Sequence, residues 1–125
     1  MTLREQEPET EIHRDVELMK IESTLKQKGV LVSSLQSIEG LSSRGYGVPE
    51  NGNLLLTFYE ALFLLSKGII EVKDEKTGLE VDFQNLLQRF QSVDANAWVR
   101  YLVYRDLRSR GYVAREGFGL GIDFR

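Results

Sequence analysis

The stretch LLLTFYEALFLLSKGIIEV, residues 54–72, decides how this chain folds. Its first three leucines predict a strand. The spacing of Thr57 and Glu60 then matches a capping box, in which each side chain accepts a hydrogen bond from the other residue's backbone N–H. The helix that follows is apolar almost all round and ends at Gly68. Such a helix is expected to be buried, so it should form the centre of the domain. The residues after it, 69–72, predict a second strand.

The upstream segments continue this pattern. Residues 12–25 fit either a helix or a strand, and residues 30–32 form a β-branched run that predicts a strand. A helix that ends at Gly45 follows, because glycine readily takes the left-handed conformation after a last turn. Asn51 and Gly52 both tolerate positive φ and predict a two-residue turn before the strand at residue 54.

The downstream segments add two helices and a further strand. Asp82 can cap a short helix, and Asp94 can cap the longest helix, residues 95–110. Residues 118–124 alternate strictly, which is typical of a half-buried strand. The sequence ends inside this alternation, and on that ground we expect the 125 residues to be the front part of a longer polypeptide. We predict the α+β class: a small mixed or antiparallel sheet packed with three to four helices, followed by a helix and strand of an incomplete second α/β domain.

Composition excludes several classes of protein. The chain is 42% hydrophobic and 28% charged, which are values of a globular domain and exclude disorder. It has no cysteine, so it has no disulfide framework and no thiolate metal site. No apolar run approaches the ~18 residues of a membrane span. The acidic residues 1–11 exclude a secretory signal, and we expect a cytoplasmic protein without a membrane partner.

The charges are distributed unevenly. The net charge is -3, yet residues 95–125 carry six bases, all arginine, against three acids. A surface that meets a polyanion should therefore lie near the C-terminal end. The alternative is that these arginines form a solvated helix face with no ligand.

A six-residue pattern occurs twice. Residues 41–46 and 107–112 share L-x-S-R-G-Y, and each copy is predicted to end a helix and open a strand. We call residues 41–46 the first copy and residues 107–112 the second copy. Convergence on good helix-end chemistry explains the pattern, and so does a tandem of two related units.

The residues by themselves indicate no active site. His13 is the single histidine, and one histidine without cysteine does not build a zinc site of the usual kind. The glycines of residues 117–121 lack the following helix that a phosphate loop needs. Trp98, Tyr101 and Tyr104 stand beside arginines and could stack RNA bases, but their helical spacing favours a core role. We therefore expect no metal and no cofactor.

The sequence resembles a known family. Residues 101–125, YLVYRDLRSRGYVAREGFGLGIDFR, look like the start of the catalytic domain of archaeal tRNA-splicing endonucleases, in which a Y-x-V-Y-R-x-L-x-x-R-G helix leads into a strand. Residues 54–72 resemble the N-terminal domain of that family, and residues 29–47 are similar to its earlier strand–helix–RGYG unit. The resemblance covers roughly residues 16–125, and it favours a strand hairpin for residues 16–32.

The resemblance implies three regions. Residues 1–15 would be a flexible acidic tail. Residues 16–93 would be the N-terminal α+β domain, and residues 94–125 the first helix and strands of a truncated catalytic-type domain.

The resemblance also implies a function. The family removes introns from precursor tRNA, usually at a bulge–helix–bulge fold, by metal-free cleavage that leaves a 2′,3′-cyclic phosphate and a 5′-OH. Its Tyr, His and Lys triad would come after Arg125, so we expect no catalytic residue in this chain and no cleavage by it alone. The expected partners are precursor tRNA and further endonuclease subunits in a homo- or hetero-oligomer.

The expected role of this portion is structural. The candidate RNA contacts are Arg105, Arg108, Arg110 and Arg115. Two alternatives stay open: a non-catalytic subunit that assembles a partner catalytic subunit, and an unrelated small RNA-binding module.

Overall fold

The computed structural model describes residues 20–111, and the predictions for residues 1–15, the strand at 118–124, Arg115 and His13 lie outside the described residues. Within this range, six strands and four helices follow one another along the chain. They are β1 (Ile21–Leu25), β2 (Val30–Val32), α1 (Leu35–Ser43), β3 (Val48–Glu50), β4 (Asn53–Leu56), α2 (Phe58–Ser66), β5 (Ile70–Asp74), β6 (Glu80–Val81), α3 (Phe83–Val93) and α4 (Ala97–Ser109).

The strands form one mixed sheet in the order β3-β4-β2-β1-β5-β6, which confirms the α+β class. All neighbours are antiparallel except β1 and β5, which run parallel from Ile21↔Ile70 to Leu25↔Asp74. The hairpin of β1 and β2 confirms the predicted strands over residues 21–32. Side chains alternate across the sheet, so that Leu54 and Leu56 are buried while Leu55 between them is half-buried.

Helix α2 is the centre of the fold, as predicted. Seven of its nine residues are buried, and they contact β4, β5, α3 and α4. The capping box is present: Glu60 N donates to Thr57 Oγ1 at 3.2 Å, and Thr57 N donates to Glu60 Oε1 at 2.9 Å. The spacing of two residues in sequence therefore starts the most buried helix of the described chain.

The predicted turn and one predicted cap are confirmed, and a second cap is wrong. Asn51 and Gly52 join β3 to β4 with φ of 53° and 83°. Asp82 caps α3 by accepting from Asn85 N at 2.9 Å. Asp94 does not occupy the N-cap position of α4: its Oδ1 accepts from Asn96 N at 2.8 Å and its carbonyl from Ala97 N at 3.1 Å, in a turn that precedes the helix. The helix consequently begins at Ala97 with Asn96 at the N-cap position, two residues later than predicted.

The first copy of the repeated motif ends α1 in a Schellman geometry. Gly45 N donates to Ser42 O at 3.0 Å, and Tyr46 N donates to Leu41 O at 3.0 Å. Gly45 has a φ of 87°, which an L side chain rarely adopts. The turn sends the chain from α1 into the sheet and buries Tyr46 in the core.

Helix α4 packs into the same hydrophobic cluster as the sheet and α2. Ala97, Tyr101 and Tyr104 are buried members of that cluster. The boundary predicted at residues 93 and 94 stays a prediction. No helix within residues 20–111 has the length and hydrophobicity that crossing a lipid bilayer requires.

Candidate nucleic-acid interface

Helix α4 has an inward face and an outward face with different roles. Tyr101 and Tyr104 point inward and are buried, which confirms that both belong to the core. Trp98 and Val99 point outward, with 43% and 58% of their surface exposed. Two of the three aromatic side chains of this helix are therefore buried, and only Trp98 offers much surface to a ligand.

Ring contacts hold the inward tyrosines. The Tyr104 ring lies 4.9 Å from the Tyr59 ring and 5.8 Å from the Phe63 ring, centroid to centroid. The Tyr101 ring meets the edge of Phe83 at 5.4 Å. Such offset and edge-on pairs stabilise a core beyond the area that they bury. An RNA base could not stack on Tyr104 without displacing its neighbours.

Two of the candidate RNA contacts lie on the surface of α4. Arg105 is exposed, and its guanidinium carbon is 5.9 Å from the centre of the Tyr101 ring. Arg110 is 67% exposed, and its Nε pairs with Asp106 at 3.3 Å. An exposed pair of this kind contributes little stability and exchanges readily for another anion. Both guanidinium groups are therefore able to meet a phosphate.

Arg108, the third candidate, turns inward. Its guanidinium carbon lies 3.8 Å from the centre of the Tyr46 ring, and its Nε donates to the Tyr104 hydroxyl at 3.1 Å. The contact with Tyr46 joins the end of α4 to the loop after α1, while the bond to Tyr104, on the same helix, holds the Arg108 side chain in place. The structure separates Arg108 from Arg105 and Arg110, although the three are equivalent in the sequence.

A buried carboxylate lies behind this contact. Glu60 Oε2 accepts from Gly47 N at 3.0 Å, while Oε1 accepts from Thr57 N. Burial raises the pKa of the Glu60 carboxyl, and the two backbone N–H bonds together with the Arg108 charge oppose the shift. Glu60 therefore has two structural roles: it caps α2, and it anchors the loop that carries Tyr46.

The buried phenol groups of Tyr46 and Tyr104 are not suited to act as general bases. Burial raises the pKa of Tyr104 and of Tyr46 above the ordinary value of a phenol, so both hydroxyls stay protonated near neutral pH. Within residues 20–111, no group of three or more His, Cys, Asp or Glu side chains could hold a metal ion.

One cavity of about 670 Å³ opens between the β3–β4 hairpin and α2, α3 and α4. Its ionisable side chains include Glu60, which bonds to Gly47 and Thr57, and Arg100, which pairs with Asp94. Because these charges already have partners in the fold, the cavity presents no evident acid–base pair for catalysis.

Sequence reasoning missed the pairing of Tyr46 with Arg108 and the second partner of Glu60. The signal that could have found the first is the repeated motif, because Tyr46 belongs to the first copy and Arg108 to the second. No local pattern in the sequence marks Gly47 as a partner of Glu60.

Two models of known protein families match this chain, one after the other along the sequence. The family model described as the tRNA intron endonuclease N-terminal domain matches residues 21–87, which is more than half of the chain. The model of the catalytic C-terminal domain matches residues 97–125. This chain belongs to the tRNA intron endonuclease family. Its α4 begins at Ala97, where the catalytic-domain match also begins.

Curated relatives of this endonuclease family are named tRNA-splicing endonuclease. One from Methanococcus maripaludis is 35% identical over 105 residues, covering 84% of this chain and 59% of the relative. One from Thermococcus onnurineus is 37% identical over 91 residues, covering 72% and 52%. One from Methanosarcina barkeri is 31% identical over 120 residues, covering 94% and 34%. The chain therefore spans between about a third and three fifths of the length of these relatives.

Proposed function

We propose that this chain acts in the removal of introns from precursor tRNA and that residues 20–111 have a structural and assembly role in that reaction. The observation that carries the proposal is the match to both endonuclease domains in their order, with α4 at the start of the second. The named activity of the relatives supports it. We expect the active assembly to include further endonuclease subunits, either copies of this chain or a different chain.

The chemistry that we propose is metal-free cleavage of RNA. A ribose 2′-OH attacks the adjacent phosphate, the bond to the 5′ oxygen of the next nucleotide breaks, and a 2′,3′-cyclic phosphate and a 5′-OH result. This reaction needs a base, an acid and a cation for the developing charge. Residues 20–111 contain no histidine, and the buried Tyr46 and Tyr104 are protonated and held in the core. The proposal therefore assigns the reacting groups to residues outside this range.

The RNA-facing surface that we propose is the exposed C-terminal half of α4. Arg105 and Arg110 lie there, and Arg115 would extend it beyond the described residues. Arginine suits such a surface, because its planar group binds phosphate oxygens in pairs. These contacts would orient the substrate without reading its sequence.

Binding by the purified 125-residue chain tests the proposal. Fluorescence anisotropy would compare a precursor tRNA that contains a bulge–helix–bulge intron with the same tRNA without the intron, at several salt concentrations. We expect the precursor to bind more tightly, and the logarithm of affinity to fall linearly with that of salt. Arg105→Met should weaken binding and reduce the salt slope by about 1. Equal affinity for the two RNAs would overturn the assignment of the substrate.

Two controls complete the experiment. Lys76→Met removes one positive charge from the turn between β5 and β6 and should leave the binding of RNA nearly unchanged. Incubation of the precursor with the chain alone should give no cleavage. Products with 2′,3′-cyclic phosphate ends would show that the chain itself contains the reacting groups, and would overturn the structural role.

A further inference from the structure

Arg108 connects the two copies of the repeated motif. It stands in the second copy where the first copy has Ser42, which is exposed. Its guanidinium carbon lies 3.8 Å from the centre of the Tyr46 ring, the last residue of the first copy. That distance is well inside the ~6 Å within which a cation and an aromatic ring attract each other. The two copies therefore meet in space although 62 residues separate Arg108 from Tyr46 in the chain.

The surroundings of the guanidinium make this contact strong and directional. Its Nε donates to the Tyr104 hydroxyl at 3.1 Å, and Tyr104 is completely buried. Its Nη2 is also buried, and no atom of residues 20–111 accepts a hydrogen bond from it. Removing a charged group from water is costly unless another group compensates it. In the described part of the chain, the face of the Tyr46 ring and the nearby charge of Glu60 do so together.

Tyr46 is itself held rigidly. Its N–H donates to Leu41 O at 3.0 Å in the helix end, and the N–H of the next residue, Gly47, donates to buried Glu60 at 3.0 Å. A continuous set of contacts therefore runs from Glu60 on α2, through the loop after α1, to Arg108 on α4. Apolar packing alone is not directional. The hydrogen bond to Tyr104 on the same helix fixes the Arg108 side chain, and its stacking on Tyr46 then selects one rotation of the helix.

We propose that Arg108 is a positioning residue, which fixes the rotation of α4 against the loop after α1. The inference deepens the proposed function and rests on it in one respect: the helix that Arg108 holds is the one with which the catalytic-domain match begins. It also removes Arg108 from the RNA contacts, leaving Arg105 and Arg110 of the described candidates.

A distance measurement tests the positioning directly. The chain has no cysteine, so Glu39→Cys on α1 and Ser109→Cys on α4 give two unique sites for spin labels. We expect a narrow distance distribution in the parent chain and a broad one after Arg108→Met or Tyr46→Leu. Arg110→Met, which removes an exposed arginine from the same helix turn, is the matched control and should leave the distribution narrow. An unchanged distribution in Arg108→Met would overturn the proposal, because a contact that only adds stability would not move it.

A double-mutant cycle measures the pair by denaturant unfolding. Arg108→Met should raise the unfolding equilibrium constant about thirtyfold, as loss of a desolvated cation–ring contact predicts. In a Tyr46→Phe background, which keeps the ring, that factor should persist. In a Tyr46→Leu background it should fall markedly, because the charge then keeps only the more distant Tyr104 ring, 5.8 Å from its centre. Equal factors in all three backgrounds would show that Arg108 and Tyr46 are not coupled, and would overturn the proposal.

The salt dependence of RNA binding separates positioning from RNA contact. Arg108→Met should leave the salt slope unchanged, whereas Arg105→Met should lower it by about 1. A lower slope in Arg108→Met would make Arg108 a phosphate contact and would overturn the inference. If the parent chain binds no precursor tRNA, the proposed function fails, while the distance distribution and the cycle still decide the role of Arg108.

Discussion

Over the described residues of the two copies, L-x-S-R-G, the helix ends in the same local conformation. Arg44 and Arg110 have φ and ψ of -95° and 7° and of -93° and 5°, and the glycines that follow have φ of 87° and 89°. In each copy, the serine hydroxyl donates to a carbonyl of the preceding helix turn, at 2.9 Å from Ser43 and 2.8 Å from Ser109. The motif therefore encodes one way to end a helix, and it does so twice.

The surroundings of the two copies differ. Gly45 of the first copy is buried in the core, whereas Gly111 of the second is exposed; the serine and arginine before each glycine are exposed in both copies. The motif therefore specifies a local turn, whereas the rest of the fold determines whether that turn is buried. Helix-end chemistry is enough to explain the shared glycine, and the relationship of the copies as tandem units stays a hypothesis.

Removing Glu60 should have the largest effect, because Glu60 anchors the loop that follows the first copy. Glu60→Ala leaves the buried N–H groups of Gly47 and Thr57 without an acceptor. We expect a loss of about 3 kcal/mol in the free energy of unfolding, measured with denaturant. Glu39→Ala, on the exposed side of α1, should cost less than about 0.5 kcal/mol. Similar small losses in both variants would show that Glu60 does not anchor this loop.

The Glu60 carboxyl should also make the free energy of unfolding depend on pH, with a smaller effect than its removal. Burial raises the pKa of Glu60 in the folded state above its ordinary value, so the folded protein binds this proton more tightly than the unfolded chain. Its contribution is most favourable below the ordinary pKa, falls as the pH rises to the raised folded value, and is constant above it. Glu60→Gln should remove this slope from denaturant unfolding measured between acid and neutral pH. An identical slope in parent and variant would contradict the assignment.

Replacing the glycine of each motif copy by alanine should show how burial changes the cost of the same backbone strain. Gly111→Ala places a side chain at positive φ in an exposed position and should cost about 1 kcal/mol. Gly45→Ala has the same backbone strain in a buried position and should cost more. Gly40→Ala is the matched control, because it lies inside α1 with open space around an added Cβ, and it should stabilise the chain by about 0.5–1 kcal/mol. A cost at Gly111 equal to or above that at Gly45 would contradict the role of burial.

The motif serines should give the smallest and most equal effects. Ser43→Ala and Ser109→Ala each remove an exposed hydroxyl bond to a helix carbonyl, and each should change the free energy of unfolding by less than about 0.5 kcal/mol. Thermal unfolding of the two variants side by side checks this. A clear difference between them would mean that the two helix ends are not locally equivalent.

Features that depend on neighbours in sequence were predicted well. The capping box of α2, the Asn51–Gly52 turn and the Asp82 cap all follow from residues at most three apart. The strand expected after the first copy is β3, whereas the short edge strand β6 was not predicted, because two residues carry too little pattern. Asp94 was misassigned because its carboxylate has two competing partners, Asn96 and Arg100, and the spacing alone could not rank them.

The same distinction between local and long-range features applies to the candidate site. The sequence identified four arginines near the C-terminal end and favoured a core role for the aromatic residues of α4. It could not separate Arg108 from Arg105 and Arg110, because all three have the same charge and lie within six residues of one another. Which of them faces inward depends on how α4 packs on α2 and on the loop after α1.

The sequence by itself determined the α+β class, the buried central helix and its capping box, because hydrogen bonds within a few residues and the hydrophobic period decide them. Only the tertiary structure decided that Tyr46 would cover Arg108 and that Glu60 would hold Gly47. Those contacts join residues that are 62 and 13 positions apart, and their geometry exists only after the sheet and helices have packed.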